Sequence, residues 1–294
     1  MKNSLTKKLV VVLGLAGAMT ACAPQNSNSV ATDKGSSIIG GTIVEASDSI
    51  SKTTVAIIAA IVDAKGEEQQ FVCTGSLIAE NVVLTAGHCV PEVKAGEKAG
   101  MYVVFSKDLN KLSKENIRNV NKVVVHPKYG TEAEDGSDAN DIALIRFTGT
   151  KAAGYEIAKF LKDETLLVAG ANVTLAGYGL TDGVNKTGDN LLRKTDVQIM
   201  EHFGKTEVAL DQSQGKGACH GDSGGPAFLK GADGVEYVWG ITSRGIGKDG
   251  KDDCSLFSLY TKVTAQQTFV DGALATLAVP PKAPALPLAP VAAK

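Results

Sequence analysis

Neither sign of charge dominates this chain of 294 residues: 30 basic side chains stand against 32 acidic ones, a formal net charge of −2. Such a balance offers no basic surface to neutralise a polyanion, so nucleic acid is not an expected partner. Long apolar runs are scarce as well. The run at 9–19, preceded by Lys2, Lys7 and Lys8, is too short to cross a bilayer as a permanent helix and reads as the core of a secretory signal at 1–21. No phosphate loop, dinucleotide fingerprint or paired-cysteine metal motif is present, which leaves no cofactor and no metal to expect. Cys73 and Cys89 lie too far apart for a zinc-finger half, and the four histidines lack finger spacing. An internal repeat is missing too.

What the sequence does hold begins at Met19-Thr20-Ala21-Cys22. It resembles the lipobox of bacterial lipoproteins, with Met19 where leucine is usual, and makes Cys22 the expected site of acylation. An ordinary signal-peptidase cut after residues 21–23 would put Pro24, with fixed φ and no N–H, just beyond the scissile bond. Setting Cys22 aside from the five cysteines leaves Cys73, Cys89, Cys219 and Cys254, an even set expected to pair in an oxidising compartment. Residues 22–37 are small and polar with nothing periodic to bury, and are expected to be a linker or propeptide. Short apolar runs then follow at 54–62, 71–78, 82–86, 102–105, 120–125, 142–147, 165–168, 173–175, 196–200, 226–229, 235–242 and 256–263. Many short strands broken by turn signals predict an all-β barrel or sandwich, and 44% hydrophobic residues suffice for one large domain or two fused barrels. Helical spacing appears only at 263–277, through Val263, Phe269, Val270, Leu274 and Leu277. The Pro- and Ala-rich tail 278–294 cannot build a core.

The stretch Ala218-Cys219-His220-Gly221-Asp222-Ser223-Gly224-Gly225-Pro226 sets a serine in a glycine-flanked turn with a carboxylate before it. A serine hydroxyl becomes an effective nucleophile only when a base takes its proton, a third group orients that base and backbone N–H groups await the oxyanion. Upstream stand Leu84-Thr85-Ala86-Gly87-His88-Cys89 and Asn140-Asp141-Ile142-Ala143-Leu144, in the order His88, Asp141, Ser223. With Ile38-Ile39-Gly40-Gly41, Cys73-Thr74-Gly75-Ser76-Leu77-Ile78, His126-Pro127-Lys128-Tyr129, Ala176-Gly177-Tyr178-Gly179 and Tyr260-Thr261-Lys262-Val263, these segments resemble the chymotrypsin/trypsin family of serine endopeptidases from about residue 38 to 277.

The resemblance implies two six-stranded antiparallel β-barrels packed together, their boundary at about 155–165, with the C-terminal helix on the second barrel. It implies Ser223 as nucleophile, His88 as general base and Asp141 as the group that fixes the His88 tautomer. Gly221 and Ser223 would supply oxyanion N–H groups, and Ser243 would abut Asp141. Disulfides are implied between Cys73 and Cys89 and between Cys219 and Cys254, the first stabilising by about 3 kcal/mol through loop closure. Asp222 would pair with a new α-amino group at Ile38, freed by a cut after Ser37 that activates a zymogen. The primary specificity pocket falls on Gly217 at its base, with Ala218, Ser243, Gly245 and Ser258, which suits large uncharged side chains before the cut. Arg244 occupies a place usually aromatic in the family.

Beside these, His126 and His202 read as structural, and His220 as a cleft wall without proton transfer. Glu132, Glu134, Asp135 and Asp138 fail the calcium-loop spacing at Ala139 and read as a solvated loop, as does 248–253 with its Asp249-Gly250 tip. The family implies polypeptide substrates, a proteinaceous inhibitor as a further partner, a monomer, and a membrane link only through lipid at Cys22. The competing reading is a non-catalytic binding protein or adhesin on the same scaffold.

Overall fold

The structure is a computed structural model that describes residues 38–278. The expected signal, Cys22, the 22–37 linker with Ser37, and the tail from 279 onward lie outside the described residues. The chain forms β1 (Thr42–Ile43), one turn of helix α1 (Ile50–Thr53), β2 (Thr54–Val62), β3 (Glu68–Ala79), β4 (Val82–Thr85), β5 (Lys98–Val104), β6 (Ile117–Val125) and β7 (Ala143–Phe147). There follow β8 (Lys159–Phe160), β9 (Asn172–Gly177), β10 (Arg193–Phe203), β11 (Glu207–Asp211), β12 (Pro226–Lys230), β13 (Glu236–Ile246), β14 (Phe257–Lys262) and helix α2 (Gln267–Ala278).

Strands β2-β3-β4-β7-β6-β5 close into one antiparallel barrel. The second barrel runs β10-β11-β14-β13-β12-β9 and closes because β9 pairs with β10 as well as with β12. Two short strands extend it, β1 on β10 and β8 in parallel on β13. Strand β10 shows why: Arg193, Thr195, Val197 and Ile199 are buried while Asp196, Gln198 and Met200 face out, a period of two that admits only one register against the core. One apolar cluster contains Ile57, Leu84, Ile145 and Phe147, and the other Leu175, Leu210, Trp239 and Tyr260. Each such side chain stabilises the fold by roughly 1.5–3 kcal/mol on burial.

Three expectations need correction. The run 165–168 is not a strand: Asp163 Oδ1 accepts the Thr165 N–H at 3.0 Å and starts a 3-10 turn, Glu164–Leu166, which leaves Leu166 and Val168 exposed. Strand β11 was not expected, because charged Glu207 and Asp211 bracket only three apolar residues. Helix α2 packs on the first barrel rather than the second. Val263, Val270, Ala273 and Leu277 belong to the cluster that holds Ile145 and Phe147, and the Phe269 ring meets the His126 ring edge-on at 4.8 Å. The first barrel also satisfies the helix end: Lys122 Nζ of β6 donates to the Thr276 carbonyl at 2.7 Å and Arg146 of β7 to that of Leu277 at 2.5 Å.

Candidate active site

His88 lies in the 3-10 turn Gly87–Cys89 that follows β4, beside the disulfide from Cys89 to Cys73. Asp141 enters just before β7 and is 3% exposed. Its Oδ2 accepts from His88 Nδ1 at 2.7 Å and from Ser243 Oγ at 2.7 Å, and its Oδ1 accepts the His88 backbone N–H at 3.0 Å. Burial would raise the Asp141 pKa. The hydrogen bond and charge of the His88 ring, the Ser243 hydroxyl and the His88 N–H outweigh burial and hold the carboxyl below its ordinary value. Ser243 reaches Asp141 because the β13–β14 register shifts between Thr242 and Arg244, an irregularity of the kind that re-aims a side chain beside a site.

Ser223 sits in the tight loop before β12. The Asp222 N–H donates to the Cys219 carbonyl at 3.0 Å and the Gly225 N–H to that of Asp222 at 2.8 Å, while Thr74 of β3 ties the loop to the first barrel. Its N–H donates to the Ser223 carbonyl at 2.8 Å and its Oγ1 to the Gly221 carbonyl at 2.9 Å. The loop presses so closely on that barrel that a Cβ at Gly224, φ +77°, would stand 2.0 Å from Thr85 Oγ1. At Gly221, φ +101°, a Cβ would stand 2.8 Å from the Gly179 Cα. This backbone brings Ser223 to the cavity of about 440 Å³ that His88 and Asp141 also line.

Behind the loop, Asp222 is 1% exposed and accepts from the Gly179 N–H at 2.8 Å and the Cys219 N–H at 2.9 Å. Burial pushes its carboxyl up to about 7, against the pull of those two N–H groups. Ile38 is fully buried in the second core at φ +54°, a conformation a β-branched residue rarely adopts. Cys219 is bonded to Cys254.

Of the five residues expected in the primary pocket, Ala218, Ser243, Gly245 and Ser258 line the cavity. Gly217 does not. It stands behind the wall, where a Cβ would fall 2.2 Å from the buried Gln212 side chain. Gln212 Oε1 accepts the Ala218 N–H at 2.7 Å, and its Nε2 donates to the carbonyls of Ala218 at 3.1 Å and Cys254 at 2.7 Å, so it braces the floor from beneath. Neither loop expected to be solvated is wholly so. Asp252 stands at the cavity edge, where Oδ1 meets His220 Nε2 at 2.7 Å and Oδ2 meets Lys186 Nζ at 2.9 Å. Asp138 Oδ1 accepts the N–H groups of Lys205 at 2.8 Å and Thr206 at 2.7 Å, fastening the acidic loop to the β10–β11 turn. Arg244 lines the cavity and forks onto Glu207, whose side chain is fully buried. Glu207, Gln212, Lys186 and Thr74 were not foreseen; each acts through a partner distant in sequence or set by loop geometry. The groups Cys73–His88–Cys89 and Cys219–His220–Cys254 place sulfur and nitrogen together, but disulfide bonding leaves them no thiolate to offer a metal.

A family model described as Trypsin matches residues 47–270. The chain is similar to a chymotrypsin from Phaedon cochleariae, 30% identical over 216 residues covering 69% of this chain and 72% of that one. It is also similar to trypsin-1 from Astacus astacus, 30% identical over 60% of this chain and 77% of that protein. Brachyurin from Leptuca pugilator is 31% identical over 60% of this chain and 77% of its own.

Proposed function

The chain belongs to the trypsin family and is a serine endopeptidase, and from that premise we propose that it cuts peptide bonds through His88, Asp141 and Ser223. Ser223 Oγ attacks the scissile carbonyl carbon as its proton passes to His88 Nε2, and the oxyanion settles on the N–H groups of Gly221 and Ser223. His88 returns the proton to the leaving amine, and water then hydrolyses the acyl-enzyme by the same route. The observation that carries this reading is the His88–Asp141–Ser243 chain of two 2.7 Å hydrogen bonds in the cavity that Ser223 lines. The primary pocket takes large uncharged side chains, since Ala218, Gly245 and Ser258 add no charge and Asp252 is already paired with Lys186 and His220. Cleavage of a peptide library by protein beginning at Ile38 should follow Phe, Tyr, Leu or Met; a profile led by Arg and Lys would overturn the assignment.

The same reading makes the chain a zymogen whose activating cut falls between Ser37 and Ile38. With no arginine or lysine at Ser37, a trypsin-like activator is not implied. Export with acylation at Cys22 belongs to it as well; no helix among the described residues is long and apolar enough to cross a membrane. Because residues 22–37 are the link to the lipid, activation releases the catalytic domain. In the uncut chain Asp222 titrates near 7 when folded and near 3.8 when unfolded. The folded state therefore binds more protons between these values, and stability falls as pH rises from about 4 to 7, by roughly 4 kcal/mol for about three pK units. A cut supplies the Ile38 ammonium, keeps Asp222 ionised and removes that loss. The ammonium's own contribution is complete below its unpaired value of about 7.7–8.0 and is lost as pH climbs through its raised, paired value. Melting temperatures of uncut protein and of protein beginning at Ile38 should diverge from pH 5 to 7, with the active form carrying an Ile38 terminus in the soluble fraction. Parallel curves, or an active form beginning upstream of Ile38, would contradict the switch.

A further inference from the structure

Arg244 occupies the stretch of β13 between two residues of the primary pocket, Ser243 and Gly245, and all three line the cleft. Its guanidinium is unusually constrained. One terminal nitrogen donates to Glu207 Oε1 at 2.6 Å and to Ser243 Oγ at 3.3 Å; the other donates to the Gly136 carbonyl at 2.7 Å and to Glu207 Oε2 at 3.1 Å. A guanidinium carries five N–H donors, four of them on the terminal nitrogens, and these four acceptors account for all four. The fork that would grip a substrate carboxylate is therefore occupied, and the charge is balanced by a fully buried partner. Glu207 is itself fixed, because its Oε2 also accepts the Asp138 N–H at 2.8 Å.

Two bonds to one carboxylate and one to a carbonyl hold the guanidinium plane in place, while 28% of the side chain stays exposed in the cleft. What remains for a ligand is Nε–H and the flat face. A guanidinium face stacks on aromatic rings, and preorganisation removes the entropic cost of freezing the side chain at binding. The neighbours agree with such a ligand: the same cavity is lined by the Tyr129 ring, which packs over Gly87, and by the Ala139 methyl. Glu132, also on this wall, disfavours an acidic side chain.

We propose that Arg244, held flat by Glu207 and Gly136, is a specificity-determining platform on which an aromatic side chain of the substrate, preceding the primary-pocket residue, stacks. This rests on the peptidase reading above. The test uses peptides with one fixed pocket residue and Trp, Tyr, Phe, Leu or Glu at each of the three positions before it. kcat/KM for the aromatic peptides should exceed that for leucine by roughly 3- to 30-fold at one position, chiefly through KM, with glutamate lowest. The double variant Arg244→Leu/Glu207→Gln, which leaves no buried charge unpaired, should bring that ratio below about twofold, and Arg244→Trp/Glu207→Gln should keep it. The same peptides titrated onto Ser223→Ala protein report the preference as binding, so a failure of hydrolysis would count against the peptidase reading alone. A flat profile, one led by glutamate, or an aromatic preference that survives in the leucine double variant would overturn the platform.

Discussion

Replacing Ser223 by alanine is expected to lower kcat/KM by roughly 10⁶ while leaving the melting temperature within a few degrees of the parent protein. The large loss follows from the proposed reaction: without Oγ no acyl-enzyme forms, and what survives is water attack assisted by the oxyanion donors and substrate binding. The small structural effect follows from the loop. Its shape depends on the Thr74 N–H bond to the Ser223 carbonyl, the Thr74 Oγ1 bond to the Gly221 carbonyl and the Gly224 N–H bond to the Thr242 carbonyl, and none passes through the Ser223 side chain. Peptide hydrolysis within tenfold of the parent would remove Ser223 from the mechanism. A collapse in stability would show instead that the loop conformation is wrongly assigned.

Asp141→Asn should cost about 10⁴ in kcat at neutral pH with little change in fold. The carboxylate oxygen that faces His88 Nδ1 is an acceptor, and in the proposed mechanism it holds the proton on Nδ1 so that Nε2 is free to take one from Ser223. An amide placed there can donate to Nδ1, which favours the opposite tautomer and removes the charge that stabilises the imidazolium. The His88 backbone N–H can only donate and so keeps the amide oxygen toward itself, which turns the amide nitrogen to His88 Nδ1 and Ser243 Oγ, both able to accept. Hydrolysis within about tenfold of the parent enzyme, measured at saturating substrate, would mean that His88 is oriented by something other than Asp141.

Much of this site was legible in the sequence because its pieces are local. Leu84-Thr85-Ala86-Gly87-His88-Cys89 carries its histidine, its neighbouring half-cystine and the end of a strand in six residues, and the Gly221–Gly225 turn is written in glycines. Most strands were legible for the same reason, each being a short apolar run between turn residues. Glu207 was not. Its strand looks too polar to be one until Arg244, 37 residues later, balances the charge. Gln212 reads as an ordinary surface amide, yet it fills the space beside Gly217 that the sequence assigned to the pocket floor. The stripe on α2 announced that the helix is buried but carried no address. Its position was set by Lys122 and Arg146, which reach its last carbonyls from 131 to 154 residues away. Ser243 turns inward only because of a register shift that no local pattern records.

Activation by His88 and Asp141 should single out one serine, Ser223, among the many hydroxyls of the chain. Its most direct measurement is mass spectrometry of protein beginning at Ile38 after brief exposure to a fluorophosphonate, beside the same protein carrying His88→Ala. A single adduct on the peptide containing Ser223, formed at least 10³ times more slowly in the His88→Ala protein, is the result predicted. An adduct on any other residue would displace Ser223 as the nucleophile, and labelling of Ser223 at an equal rate without His88 would remove His88 as its base.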